Sequence, residues 1–189
     1  MSNTENRSCW GGLDITSLER DGATPDLEFK GQLSPYSQFF SDASLAARGS
    51  ITGGIHMLCR GPIQNLSQRQ HLASPDSHTS EVVSGGSNLN QLVPVSGVLQ
   101  ELRVRRGEAV YMFFDSATTT FVAGDDTAVK KSVWILRRAK VLQEGVMYGE
   151  VIPQHLPERF MLADPFTKYL PYDKWARHRR FILNLVEAA

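Results

Sequence analysis

Gln38-Phe39-Phe40-Ser41-Asp42 is an aromatic run closing on an acid, and Val110-Tyr111-Met112-Phe113-Phe114-Asp115 repeats the pattern further along the chain. Each run has the length and apolar density of a buried strand. What lies around them sets the architecture. Ala43 to Ser50 is small and glycine-containing, as a turn requires, and Ile51 to Arg60 reads as a second strand. Gly61-Pro62 punctuates it and Ile63 to Gln68 returns as a third, so residues 38–70 are expected to form an antiparallel meander. Ser77 to Arg106 is a helical region long enough for a crossover. After the strand Val110–Phe114, Ile135, Ala139 and Leu142 recur at helical spacing. Met147 to Ile152 is expected as a fifth strand. A C-terminal helix follows, with Trp175, His178, Ile182 and Leu185 spaced 3, 4, 3. Three hairpin strands followed by crossovers predict an α/β fold: a five-stranded mixed sheet, three strands antiparallel and then crossover strands, flanked by helices.

The chain has 189 residues, a length suited to one domain. Residues 1–26 mix Ser, Asn, Thr, Gly and charge without a period and read as a polar tail; residues 27–189 read as the domain. No stretch approaches the roughly 18 apolar residues of a membrane span, and the N-terminus lacks the pattern of a signal peptide. Cys9 and Cys59 are too few for a disulfide scaffold, so a reducing, intracellular compartment is expected. Lys and Arg total 20 against 20 Asp and Glu, which excludes a generally basic nucleic-acid protein but not a local patch. Residues 128–143 hold such a patch: Lys130, Lys131, Arg137, Arg138 and Lys140 with no acid among them. A second basic stretch carries Lys174, Arg177, Arg179 and Arg180.

If the two aromatic strands are neighbours, Asp42 and Asp115 meet at one edge of the sheet. Two carboxylates forced together repel unless a cation joins them, and a hard divalent ion such as Mg²⁺ is the usual partner. The competing explanation is simpler: each Asp caps the turn or helix after its strand.

The wider sequence resembles the ribonuclease H domain of copia-type retrotransposon polyproteins. Ser41-Asp42-Ala43-Ser44 is similar to the Ser-Asp-Ala turn that opens that domain. Gly61-Pro62-Ile63 and Gln68-Arg69-Gln70 resemble its Gly-Pro-Ile-Ser-Trp and Lys-Lys-Gln, and Ser77-His78-Thr79-Ser80-Glu81 stands where it has Ser-Ser-x-Glu-Ala-Glu. Phe114-Asp115-Ser116 is similar to its Cys-Asp-Asn/Ser. Leu162-Ala163-Asp164-Pro165-Phe166-Thr167-Lys168-Tyr169-Leu170 resembles its closing Ala-Asp-x-Phe-Thr-Lys-x-Leu, the most specific of these motifs. The resemblance runs from about Leu27 to the C-terminus.

It implies a ribonuclease H-like fold, hydrolysis of RNA in RNA–DNA hybrids, and a four-acid site of Asp42, Glu81, Asp115 and Asp164 holding two Mg²⁺ or Mn²⁺ ions. Asp42 would bridge both ions and Asp115 would bind the nucleophile-side ion. Glu81 would serve the other ion and touch the ribose hydroxyl, with Asp164 as a peripheral ligand. The implied partner is the reverse transcriptase portion of the same polyprotein, in a cytoplasmic retroelement particle or the nucleus. Lys130, Lys131, Arg137 and Arg138 are candidates for phosphate contact, with a solvated helix face as the alternative. Trp134, likewise, suits either base stacking or the core.

The sequence departs from the family at three places. Val83 replaces a second Glu, no histidine follows Lys130-Lys131, and the helix after Glu81 contains Gly85, Gly86, Pro94 and Gly97. Each interior Gly costs about 1 kcal/mol against Ala and an interior Pro about 3. Either packing offsets several kcal/mol here or the helix is broken near Pro94, and Glu81 is expected to be the least securely positioned of the four acids. A catalytically inactive relic or domesticated nucleic-acid-binding module stays open beside the hydrolase, as does another nuclease or transposase-like member of the same fold.

Overall fold

The computed structural model describes residues 37–45, 49–59, 61–71, 74–104, 107–124 and 133–185. The tail expected over residues 1–26, its boundary with the domain, and Lys130 and Lys131 lie outside the described residues, as does the side chain of Trp134.

Three strands, β1 (Ser37–Ser44), β2 (Ile51–Leu58) and β3 (Gly61–Arg69), form the expected antiparallel meander. Helix α1 (Ser77–Glu101) crosses over to β4 (Val110–Phe114), which pairs parallel to β1. Helices α2 (Ala117–Gly124) and α3 (Val133–Met147) then lead to β5 (Val151–His155), parallel to β4. The strand order is β3-β2-β1-β4-β5. Two short 3-10 turns, Glu158–Phe160 and Asp164–Phe166, precede the last helix α4 (Tyr172–Ile182). The five-stranded mixed sheet is as expected, with two revisions. Among the described residues two helices, rather than one, join β4 to β5, and β5 begins at Val151 because Met147 completes α3.

Burial on both faces explains why β1 and β4 read as unbroken apolar runs. Phe39, Met112 and Phe114 join Val82, Leu89 and Leu142 in the core under the helices. Phe40 and Phe113 point the other way and stack at 5.0 Å. Asp42 therefore lies inside a strand and does not terminate one.

Helix α1 runs unbroken through Pro94, so of the two outcomes left open it is packing that offsets the cost. Asp76 caps it, accepting from Thr79 N at 2.6 Å. From Thr79 to Gly86 every residue is buried. That burial gives Gly85 and Gly86 a packing role. A Cβ on Gly85 would come within 2.9 Å of both Leu142 Cδ1 and Phe114 Cε1, and one on Gly86 within 3.3 Å of the Arg138 carbonyl. The glycines let α1 wedge between sheet and α3, and the buried contacts offset their poor propensity. Gly97, by contrast, faces open space. Gly97→Ala is thus expected to stabilise the protein by about 0.5–1 kcal/mol, the bare propensity gain. Gly85→Ala should destabilise it by about 1–3 kcal/mol, the usual cost of overpacking. Thermal melts of the two variants check this; equal stabilisation by both would show that α1 is not wedged.

The apolar stripe expected on the C-terminal helix is only partly covered. His178 is buried, as expected, while Trp175 and Leu185 are 42% and 45% exposed. Burial, with Arg177 and Lys174 beside it, lowers the His178 pKa to about 4 and keeps it neutral. No helix among the described residues is long and apolar enough to cross a membrane.

Candidate active site

The pairing of β1 with β4 places the first two acids. Ser41 pairs with Phe114, so Asp42 and Asp115 follow at the same level on adjacent strands. Glu81, one turn into α1, reaches the same point. One carboxylate oxygen from each of the three can be chosen so that all lie within 4.8 Å of one another. Caps do not explain this arrangement. Asp42 is mid-strand, and the turn into α2 is closed by Ser116, whose Oγ accepts from Thr119 N at 3.2 Å.

Glu81 is held firmly, against the loose placement expected from its glycine-rich helix. Its Oε1 accepts from Ala43 N at 3.1 Å, and it is 4% exposed. Below it, Ser84 Oγ donates to the Asp42 carbonyl at 2.6 Å. Asn88 Nδ2 lies 2.8 Å from Ser41 Oγ and 2.9 Å from the Gly53 carbonyl, both acceptors for its amide. Glu81, Ser84 and Asn88 are spaced 3 and 4 along one face of α1, so this polar row sets the helix against β1 and β2. None of it gives an apolar-periodicity signal, which is why Ser84 and Asn88 escaped the sequence reading.

Asp164 arrives from the opposite side. It opens the 3-10 turn Asp164–Phe166, which is tied to the sheet by side chains. Ser44 Oγ donates to the Thr167 carbonyl at 2.8 Å and Ser67 Oγ to the Phe166 carbonyl at 2.6 Å. Thr167 Oγ1 donates to Asp42 Oδ2. The approach needs Gly53, which pairs with Asp42 in the β1–β2 ladder. A Cβ there would run into Thr167 Cγ2 and come within 3.1 Å of the Ala163 carbonyl. Its neighbour Gly54 serves the other face, where a Cβ would meet Asn88 Oδ1 at 2.6 Å. The Gly53-Gly54 pair is thus a double close approach on β2, with no phosphate loop needed to explain it.

Asp164 is buried and near Asp42, but it is not among the three that converge; its Oδ1 lies 3.1 Å from Lys168 Nζ. Thr167, Lys168 and His155 were not singled out in the sequence as site residues. His155 ends β5 beside Asp115, with Nε2 3.1 Å from the Asp115 carbonyl. Their signal was position alone, within four residues of a motif acid or at a strand end. Of the basic residues expected on a nucleic-acid face, Arg137 is exposed and Arg138 half-buried on α3.

Crowding in a desolvated pocket raises the pKa values of Glu81, Asp164 and Asp115. Burial, then the charges of Asp42 and Asp115, push Glu81 up to about 9. Burial and Asp42 raise Asp164 to about 6 against the opposing pull of Lys168. Asp115 is raised for the same two reasons. Burial works to lower the Lys168 pKa, but the charges of Asp42 and Asp164 outweigh it and the ammonium is raised. Among the described residues, Asp42 Oδ1 and Glu81 Oε2 are buried without a hydrogen-bond partner. Such atoms are costly unless something ligates them, and a hard divalent ion with oxygen ligands fits this donor set.

Comparison with solved structures places the architecture. LC11-RNase H1, isolated from compost by a metagenomic approach, is similar to 70% of this chain over 93% of its own, with TM-score 0.57 and 13% identity. The N-terminal RNase H domain of Rv2228c from Mycobacterium tuberculosis, solved as a fusion with maltose-binding protein, is similar over 78% of this chain and 98% of its own, with TM-score 0.51 and 12% identity. The fold is that of ribonuclease H. No protein-family model matches the chain, and no curated sequence does. At such identities the likeness is one of fold, and the chemistry has to come from the site.

Proposed function

We propose that the protein is a metal-dependent ribonuclease cutting RNA in RNA–DNA hybrids, from the C-terminal end of a copia-type retroelement polyprotein. The convergence of Asp42, Glu81 and Asp115 within 4.8 Å on a ribonuclease H fold carries this proposal. The motif resemblance from Leu27 onward supports the copia-type origin, and with it a polar tail over residues 1–26, a domain over 27–189 and a reverse transcriptase partner. A retroelement particle in the cytoplasm, or the nucleus, is the matching location.

Asp42, Glu81, Asp115 and Asp164 are the proposed catalytic carboxylates and ligands for two Mg²⁺ or Mn²⁺ ions. Bound ions supply an activated water and relieve charge at the leaving oxygen. The chain's own part is placement. The strands fix Asp42 and Asp115, and the Ala43 amide and the Ser84–Asn88 row fix Glu81. Thr167 orients the Asp42 carboxylate toward the site. Glu81, facing the ribose, would select RNA through its 2′-hydroxyl. Lys130, Lys131, Arg137 and Arg138 are proposed to contact backbone phosphates.

The test is incubation of the protein with an RNA–DNA hybrid and with duplex DNA. Mg²⁺- or Mn²⁺-dependent loss of the RNA strand is expected, with duplex DNA intact. No RNA product with either metal, at enzyme levels comparable to substrate, would remove the hydrolase and leave the nucleic-acid-binding module. One sequence argument for that alternative is the poor helix propensity after Glu81, and α1 is continuous.

A further inference from the structure

The four acids of the site are not equivalent. Three converge, while the fourth is already paired: Asp164 Oδ1 and Lys168 Nζ are 3.1 Å apart, one helical turn from each other in sequence. Asp164 is 1% exposed, so its charge has almost no water to answer it. Lys168 is 36% exposed, and Nζ also stands 4.0 Å from Glu158 Oε1 on the rim. Its electrostatic partners include all the acids of the cluster: it acts on Glu81, Asp115 and Asp164 and is acted on by Asp42. The ammonium therefore sits where a cation serving Asp164 has to sit. Its four-carbon stem and exposed flank let it swing out toward Glu158 without moving the backbone.

We propose that Lys168 is a resident counter-cation that competes with a second divalent ion for Asp164. This rests on the proposed metal site and adds the order in which it fills. The first ion takes the Asp42–Glu81–Asp115 triad, which Lys168 leaves open. The second takes Asp164 only as Lys168 Nζ leaves it for Glu158 or solvent. Until then, Lys168 keeps a buried carboxylate from standing uncompensated, a costly arrangement in itself. Lys168 is in these terms a positioning residue, setting metal stoichiometry by occupying a ligand.

Calorimetric titration of the full chain with Mn²⁺ tests this without reference to cleavage. The parent should show one tighter and one weaker site. Lys168→Met should tighten the weaker site by about fivefold, the scale of a partly exposed ion pair, and leave the tighter one nearly unchanged. Lys168→Arg, which keeps the charge, should behave as the parent. Asp164→Asn should lose the weaker site alone. If Lys168→Met leaves the weaker site unchanged or weakens it, Lys168 is no competitor and the proposal falls, while the hydrolase reading stands. No Mn²⁺ bound by the parent at millimolar concentration would overturn the metal site and this proposal together. Tight binding with no hybrid cleavage would overturn the hydrolase alone and leave the filling order supported.

Discussion

Asp42→Asn is expected to abolish hybrid cleavage while making the metal-free protein more stable. Asp42 is the acid that touches everything else in the site. It raises the pKa of Glu81, Asp115 and Asp164, draws on Lys168, and accepts from Thr167 Oγ1. The amide keeps the size of the side chain, and its oxygen can still accept from Thr167. It gives up the negative charge that makes the group a ligand. Loss of the ligand proposed to be shared by both ions should cost at least about a hundredfold in rate, since even a 1 Å misplacement of reacting groups can cost that much. The stability effect has the opposite sign. Removing the buried charge that works against ionisation of Asp115 and Asp164 relieves the folded state but not the unfolded chain. A gain of about 1 kcal/mol corresponds to a midpoint rise of about 2–4 °C in a protein this size. Melting curves in chelator, beside cleavage assays in Mn²⁺, measure both. A variant that is inactive and less stable would mean that Asp42 holds the fold together and that its loss of activity says nothing about catalysis.

That opposition also explains what could be read from the sequence. The strands were legible because β1 and β4 are buried on both faces and carry their aromatics in unbroken runs. The meander was legible because glycine and proline mark its turns. Asp42 and Asp115 were legible because an acid next to a buried aromatic run is conspicuous. The continuity of helix α1 could not be read because propensity is a local quantity and the reason for Gly85 and Gly86 is not local: it lies in Leu142, Phe114 and the Arg138 carbonyl, far along the chain. The same applies to Glu81, whose firmness comes from the Ala43 amide on another element. Asp164 was found through its motif, but the motif could not reveal the ion pair with Lys168 that separates it from the other three. Gly53 and Gly54 gave no sign that each admits a different element to the sheet.

The second large effect expected is a steep pH dependence of metal binding, set by Glu81. Its carboxyl is held at about 9 against an ordinary value of 4.5, first by burial and then by Asp42 and Asp115. Near neutral pH the metal-free native protein therefore keeps a proton on Glu81 that the unfolded chain has already released. Because the native state binds the extra proton, this group's contribution to stability is full below about 4.5 and is lost as pH rises toward 9. Melting temperature in chelator should fall over that window, and Glu81→Gln should flatten the fall. A divalent ion inverts the demand, since it needs the carboxylate that the proton blocks. Each ion seated on the triad should expel about one proton, and affinity should rise about tenfold per pH unit up to about pH 9. Asp164, held at about 6, adds a second linked proton only toward the acid end. Titrations at pH 6, 7 and 8 in buffers of different ionisation enthalpy count the protons directly. Metal affinity that stays level from pH 6 to 8, with no proton released, would place the ion away from Glu81 and leave this buried acid without a catalytic role.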